Sequence, residues 1–265
     1  MIGEGLIMIE LRKDEMYIIK DLFKDMNDTV ILSCLEGHMG RGFTDDKKVA
    51  SVGLIYLGSF LFIAGGDVSL DVLEFISKIM IEVNEDTLYI ISNNPNNGRL
   101  LEQYYKENYK KINRYQVVGK DFDLLKLEEI IRGLPKEYEI RQIDEDLYKQ
   151  ALEENWSSYF VNNFDSAKDF TNRGIGYVIL DNETIVSGAS SYSIYNKGIE
   201  IEIATREEYR NRGLAYIIGA KLILECTKRG LYPSWDAANL TSVGLATRLG
   251  YKYVGPYDTH RITNE

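Results

Sequence analysis

The stretch Ile199-Glu200-Ile201-Glu202-Ile203-Ala204-Thr205 alternates apolar and polar side chains, and Arg210-Asn211-Arg212-Gly213-Leu214-Ala215 follows shortly after it. Period-two alternation reads as a strand with two unlike faces. The second string opens an apolar helix that ends at Lys228-Arg229-Gly230, a basic last turn with a glycine stop. A strand that turns through a glycine loop into a helix leaves backbone N–H groups free at the positive end of the helix dipole. That arrangement is an anion site suited to phosphate. Arg210 and Arg212 add charge there, Gly213 permits close approach to the backbone, and Ala215 keeps the first turn small.

Alone, an R-x-x-G-x-A string reads equally well as a charged helix start. The context decides. After Gly230 come the short segment Leu231-Tyr232-Pro233-Ser234-Trp235, then Asp236-Ala237-Ala238-Asn239-Leu240-Thr241-Ser242, then Val243 to Leu249 at helical spacing, then Gly250-Tyr251. The order strand, R-x-x-G-x-A, helix, strand, N-x-x-S, helix, L-G-Y resembles the GNAT superfamily of acetyl-CoA-dependent N-acyltransferases. The longer strings Glu202 to Ala215 and Arg229 to Asn239 look like the bacterial subfamily of zwittermicin-resistance-type acetyltransferases. The resemblance is sharp from about Gly174 to Tyr253 and fades before that.

The resemblance implies a mixed α/β sheet of the GNAT type, with acetyl-CoA as donor and CoA as product. It implies that Arg210, Asn211, Arg212, Gly213, Leu214 and Ala215 hold the cofactor, that backbone N–H groups near Ile203 and Thr205 receive the thioester carbonyl, and that Asn239 contacts the pantetheine arm, with Ser242 beside it. Asn239 equally suits a helix N-cap, which needs no cofactor. Many such enzymes place a tyrosine in the last helix as acid for the departing thiolate; here that position is Ala246, leaving Ser242, water, Tyr251 or Tyr253 as substitutes. A thiol with pKa near about 8.5 departs tolerably as thiolate without help. Trp235 reads as core packing.

Transfer to an amine requires the neutral amine. A lysine-like amine is neutral in about one molecule in 2,500 at pH 7, a penalty of roughly 4.6 kcal/mol, so a base matters. Glu200 and Glu202 share the polar face of the strand and are the candidates, Glu202 preferred; paired glutamates on a strand are also what a solvated face looks like. In this fold the segment after the domain's first strand covers the amine side. Here it holds Glu153, Glu154, Trp156, Tyr159, Phe160 and Phe164, with Ser190, Ser191 and Tyr192 on a neighbouring strand. Trp156, Phe160 and Ser191 are the substrate candidates. Aromatics with carboxylates suit a cation with apolar surface, and the same residues at helical spacing would make an ordinary core face.

Composition bounds the alternatives. The chain has 265 residues, 45% of them hydrophobic, and a formal charge of −10. That length suits one large or two small domains. The negative charge argues against nucleic-acid binding, which needs a basic face. Two histidines and two separated cysteines, Cys34 and Cys226, give no metal spacing and imply buried free thiols in a reducing compartment. The charges between Met1 and Met16 exclude a signal peptide, and Gly58-Ser59 splits the longest uncharged stretch, Val49 to Gly66, so no membrane span is expected. The reading is a cytoplasmic N-acetyltransferase for a primary amine of a small molecule, its oligomeric state open. The alternative is a non-catalytic CoA-binding sensor or scaffold.

Gly133 and Pro135 interrupt helical periodicity, so the sequence divides into 1–132 and 137–265, with the whole cofactor site expected in the second part. The first part reads as strands at Thr29–Leu35, Gly53–Leu57, Phe60–Ala64 and Leu88–Ile91, with helices at Leu70–Val83 and Arg99–Lys106. Its string Tyr104-Tyr105-Lys106-Glu107-Asn108-Tyr109 looks like the closing helix and strand of a GNAT domain, yet no R-x-x-G-x-A loop precedes it. It is read as an α/β domain, a degenerate GNAT-like copy without a cofactor loop, against the alternative of an unrelated packing domain.

Overall fold

The computed structural model describes residues 8–264, so the signal-peptide reading of Met1–Met16 lies partly outside the described residues. Two compact units form. Unit 1 takes the described residues up to Asn113 and those from Tyr257 onward; unit 2 is Arg114–Pro256. These limits differ from the expected division at 132–137. The helix before that point packs on the long helix of unit 2, and the chain changes unit within strands rather than in a linker.

The elements of unit 1 are β1 (Ile9–Leu11), α1 (Tyr17–Lys20), α2 (Thr29–Leu35), β2 (Arg41–Thr44), β3 (Val52–Leu57), β4 (Phe60–Gly65), α3 (Leu70–Glu82), β5 (Thr87–Ser92) and α4 (Pro95–Tyr105). The strand β6 (Tyr109–Gly119) then leads into unit 2. Neighbouring strands run β1-β2-β3-β4-β5, followed by the end of the last strand of the chain beside β5. The β3–β4 hairpin turns at Gly58, whose φ of +54 suits glycine. The core of this unit includes Phe43, Leu54, Ile63, Ile76 and Leu88.

Two expectations for unit 1 are corrected. Thr29–Leu35 is a helix, not a strand: the Asp28 side chain accepts from the Val30 N–H at 2.8 Å and caps it, which overrides the strand preference of Thr29, Val30 and Ile31. Helix α4 begins at Pro95 rather than Arg99, because Asn94 caps it and Pro95 suits the first turn.

Unit 2 continues with α5 (Leu124–Arg132), β7 (Tyr138–Gln142), α6 (Glu145–Leu152), α7 (Asn155–Ser158), α8 (Ala167–Arg173), β8 (Gly176–Asp181), β9 (Thr184–Tyr195), β10 (Gly198–Thr205), α9 (Leu214–Lys228), β11 (Tyr232–Ser234), β12 (Asp236–Ala237), α10 (Leu240–Arg248) and β13 (Tyr251–Thr263), the last crossing back into unit 1. Its main sheet has the order β11-β10-β9-β8-β7, antiparallel except for the parallel β10–β11 pair. Helix α9 makes that crossover. Its Ile218, Leu222 and Ile223 are fully buried, each worth about 1.5–3 kcal/mol.

One irregularity positions the site. Strand β11 pairs β10 only at Gly198, Ile199 and Glu200; the chain then leaves, and β12 pairs β6 through Asp236↔Gln116 and Ala237↔Tyr115. The register of β9 against β10 shifts between Glu200 and Ile201, the same place. Among the described residues, Ile201 to Thr205 therefore has no strand partner on the side away from β9.

Candidate active site

The open edge of β10 presents amides. The Arg206 N–H donates to Val186 O on β9 at 2.9 Å. By strand alternation the amides of Ile203 and Thr205 then face the opening. The Ile203 N–H meets the Glu202 carboxylate there. The Thr205 hydroxyl pairs with the Ser187 hydroxyl at 2.7 Å, fixing the strand end.

The loop after β10 enters α9 through two left-handed residues, Asn211 with φ +63 and Gly213 with φ +80. Among the described residues no side chain caps this helix start, and a Cβ at Gly213 would meet nothing within 4 Å. Glycine is thus required by the backbone turn, and the space before it is open. Such turns make anion-binding concavities. Arg210 Nε donates to Thr205 O at 3.3 Å. Arg212 braces the loop from behind: it donates to Tyr138 Oη at 3.1 Å and Glu208 O at 2.9 Å, and lies over the Tyr209 ring, whose hydroxyl donates to Asp181.

The two glutamates do different things. Glu200 Oε1 accepts from the Asp236 N–H at 2.6 Å, a strut between β10 and β12. Among the described residues Glu202 has no such tie to a neighbouring strand, only the Ile203 N–H beside it. Burial pushes its carboxyl up to about 7, against the pull of the Arg114 guanidinium and the Ile203 N–H. Arg114, on β6, is 9% exposed and its guanidinium is paired with Asp236. Sequence reasoning missed Arg114 because it lies ahead of the expected division, outside the order of motifs. Its signal was a lone arginine in a strand, which says little by itself.

At the far wall, Asn239 caps α10 by accepting from the Ser242 N–H at 2.9 Å. The Ser242 hydroxyl accepts from the Trp235 indole N–H at 3.2 Å, and Trp235 packs edge-on to Tyr251 as core. Ala246 is fully buried. Tyr251 is no substitute acid: it is enclosed, donates to Pro233 O at 2.6 Å, and burial holds its hydroxyl well above the usual range. Tyr253 is 46% exposed.

The substrate candidates separate. Trp156 is half-buried, and its indole N–H donates to Glu154 at 3.0 Å. Phe160 is fully buried in the room left by Gly188, so it packs the sheet instead of lining an open surface. Ser191 is enclosed, with its hydroxyl accepting from the Ile175 N–H at 3.0 Å. A contact the sequence did not announce ties this segment to the end of β10: Arg206 donates to both Glu154 oxygens at 2.7 and 2.8 Å. Among the described residues no group of three or more His, Cys, Asp or Glu could hold a metal, and no helix is long and apolar enough to cross a membrane.

Unit 1 treats the corresponding strand pair differently. Strand β5 stays paired with β4 through Phe60, Leu61, Phe62 and Ile63. Asparagines fill the turn after β4: Asn93 accepts from the Gly65 N–H at 3.2 Å, and the fully buried Asn97 accepts from the Val68 N–H at 2.9 Å. Asn94 donates to Asp67 at 2.9 Å, which places a carboxylate where an anion would need donors.

A sheet that parts at one strand, outward amides on that strand and an open left-handed entry to the next helix define an acyltransferase of the N-acetyltransferase type. The family model described as GNAT acetyltransferase matches residues 20–260, and the chain belongs to that family, whose acyl donor is acetyl-CoA. A Bacillus subtilis (strain 168) protein named uncharacterized N-acetyltransferase YdfB is 28% identical over 258 residues, 95% of this chain and 97% of that one. The crystal structure of a GCN5-related N-acetyltransferase-like protein from Streptococcus suis 89/1591 is similar with a TM-score of 0.85 and 37% identity, over 94% of this chain and 98% of that one. A tandem GNAT protein from the clavulanic acid biosynthesis pathway shares the two-part fold at a TM-score of 0.53 and 9% identity, over 97% of this chain and 98% of its own.

Proposed function

We propose that unit 2 moves an acetyl group from acetyl-CoA to a primary amine of a small molecule, by direct attack in a ternary complex, with Glu202 as the base. The observation that carries this reading is the placement of Glu202 on the unpaired edge of β10, beside the Ile203 amide, with its carboxyl near 7. A base tuned near the working pH is ionised often enough to accept a proton and basic enough to take it. Glu200, tied to the Asp236 N–H, serves as the strut.

The amides at Gly213, Leu214 and Ala215, with Arg210 and Asn211, hold the pyrophosphate, and Arg212 keeps the loop in shape. Asn239 and Ser242 flank the pantetheine arm. Acetyl-CoA, when bound, supplies the activated acyl group. The Thr205 amide, joined by that of Ile203 as Glu202 takes up a proton and loosens its hold on it, receives the negative charge that develops on the acyl oxygen. Glu202 takes the proton of the attacking amine, directly or through one water. Trp156, held by Glu154, offers an aromatic face to the cation. Unit 1, with its paired strands and filled turn, takes no part in holding the cofactor.

The test is release of free thiol from acetyl-CoA against a panel of small primary amines. Turnover with at least one amine supports the reading. Tight CoA binding with no thiol release from any amine would leave a CoA-binding protein instead.

A further inference from the structure

We propose that Arg206 is a positioning residue for the acceptor: acting through Glu154, it sets the Trp156 indole as the wall of a site for a primary monoamine with an apolar body. The proposal rests on the reading of unit 2 as an amine acetyltransferase. It deepens that reading by giving a role to the residue at the end of β10 and by choosing a class of amine.

Each link is a contact. One terminal nitrogen of the Arg206 guanidinium donates to both Glu154 oxygens, at 2.7 and 2.8 Å. Glu154 Oε2 also accepts from the Trp156 indole N–H at 3.0 Å. The indole stands edge-on to Phe160, with ring centroids 5.8 Å apart and planes at 87°. Phe160 is fully buried in the room left by Gly188, which pairs with Ala204 of β10. The ring is thus held by a polar tie at its nitrogen and by an aromatic contact on its body. The polar tie starts from fixed backbone. The Arg206 N–H donates to Val186 O at 2.9 Å, and Thr205 before it pairs its hydroxyl with that of Ser187 at 2.7 Å. The strand end that carries the Thr205 amide therefore also orients Trp156.

Glu154 does not serve its own helix. It is the N-cap residue of α7, a helix of four residues, yet its side chain makes no capping bond. It reaches to Arg206 and Trp156 instead. The other carboxylate near Arg206, that of Glu208, stands 4.0 Å away and is mostly exposed. The Arg206–Glu154 pair is itself partly exposed, and such pairs add little to stability. What this one fixes is the indole.

The same contacts choose the amine. A carboxylate beside a tryptophan suits a diamine, which would use it as a second anchor. Here the Glu154 charge is met by Arg206 and shared with the indole N–H. Glu153 before it is exposed, where salt screens it. The segment offers a half-buried aromatic ring, a surface for an ammonium with apolar carbon next to it.

Protein labelled with 5-fluorotryptophan should give two fluorine-19 signals, one for each tryptophan of the chain, and Trp156→Phe identifies that of Trp156. Phenethylamine and 1,4-diaminobutane are titrated without acyl donor into wild type, Arg206→Met, Arg206→Lys, Glu154→Gln and the double variant of Arg206→Met with Glu154→Gln. Phenethylamine should shift the Trp156 signal of wild type, and 1,4-diaminobutane should bind about tenfold more weakly. Arg206→Met and Glu154→Gln should each weaken phenethylamine about tenfold, the double variant no further, and Arg206→Lys about threefold. CoA affinity, read by calorimetry, should be the same throughout. An unmoved Trp156 signal, tighter binding of the diamine, single variants that bind phenethylamine like wild type, or losses that add in the double variant would overturn the proposal. Should Arg206→Met fail to fold, Glu154→Gln and Arg206→Lys carry the test. The enzyme reading fails separately: no CoA binding, or CoA binding without thiol release from any amine, would remove it while the fluorine titration still reports on the ring.

Discussion

The backbone N–H of Asp236 donates to Glu200 Oε1 at 2.6 Å, joining β12 to β10 just where β11 stops pairing. A side chain spans a gap that backbone hydrogen bonds leave. Glu200→Gln keeps an acceptor oxygen and should turn over within a few-fold of wild type. Glu200→Ala leaves the amide without its partner and should lower unfolding free energy by about 1–3 kcal/mol, read by chemical denaturation. A large loss of turnover in Glu200→Gln with normal stability would make Glu200 a chemical participant and not a strut.

The loop that enters α9, proposed above to hold the cofactor, should separate binding from folding. Gly213→Glu places negative charge in open space at the start of α9. Calorimetry should find CoA binding abolished with the circular dichroism spectrum retained. Gly213→Ala controls for the turn: the residue sits at φ +80, so it should cost about 1–2 kcal/mol of stability while leaving measurable CoA affinity. Unchanged affinity in Gly213→Glu would remove the loop from the cofactor site.

Much of unit 2 was legible because its signals are local. Alternation gave β10, the glycine turn and the basic stop gave α9, and Asn239 announced a helix that its side chain does cap. What was illegible depends on partners far apart in sequence. Arg114 and the Ile203 N–H both act on the Glu202 carboxyl, and the tie between the end of β10 and the segment that opens α7 comes from Arg206 meeting Glu154. The change of unit falls within β6 and β13, which carry no local signal, whereas Gly133 and Pro135 mark the end of a helix that packs within unit 2. Phe160 and Ser191 carried the right chemistry for a pocket but fold inward, since Gly188 leaves room for the ring and Ile175 supplies a donor for the hydroxyl.

Arg212, expected at the cofactor, donates to Tyr138 Oη and to Glu208 O. Tyr138→Phe removes an acceptor for the guanidinium without altering charge. CoA should bind a few-fold more weakly, and amide exchange in residues 207–213 should quicken. Affinity and exchange both equal to wild type would show that the brace has no bearing on the loop.

Glu202 should cost stability at neutral pH. Its folded pKa, about 7, lies above the ordinary 4.5, so the folded state binds the extra proton between those values. Stability should therefore fall as pH rises from about 4.5 to 7 and level off above, a loss of about 3 kcal/mol at most. Glu202→Gln removes that term. Thermal melts should show the variant more stable than wild type at pH 8, with the gap closing towards pH 4.5. A gap that widens as pH falls would contradict the assigned direction.

The central claim, that Glu202 is the base of an acetyl transfer, is tested most directly by pH–rate profiles of wild type and Glu202→Gln with one amine that supports turnover. The variant keeps shape and hydrogen bonding but cannot take a proton. The account predicts unchanged affinity for acetyl-CoA, a loss of about 10²–10⁴-fold in turnover at pH 7, and a deficit that shrinks as pH approaches the pKa of the amine. Wild-type turnover at pH 7 in Glu202→Gln would contradict it.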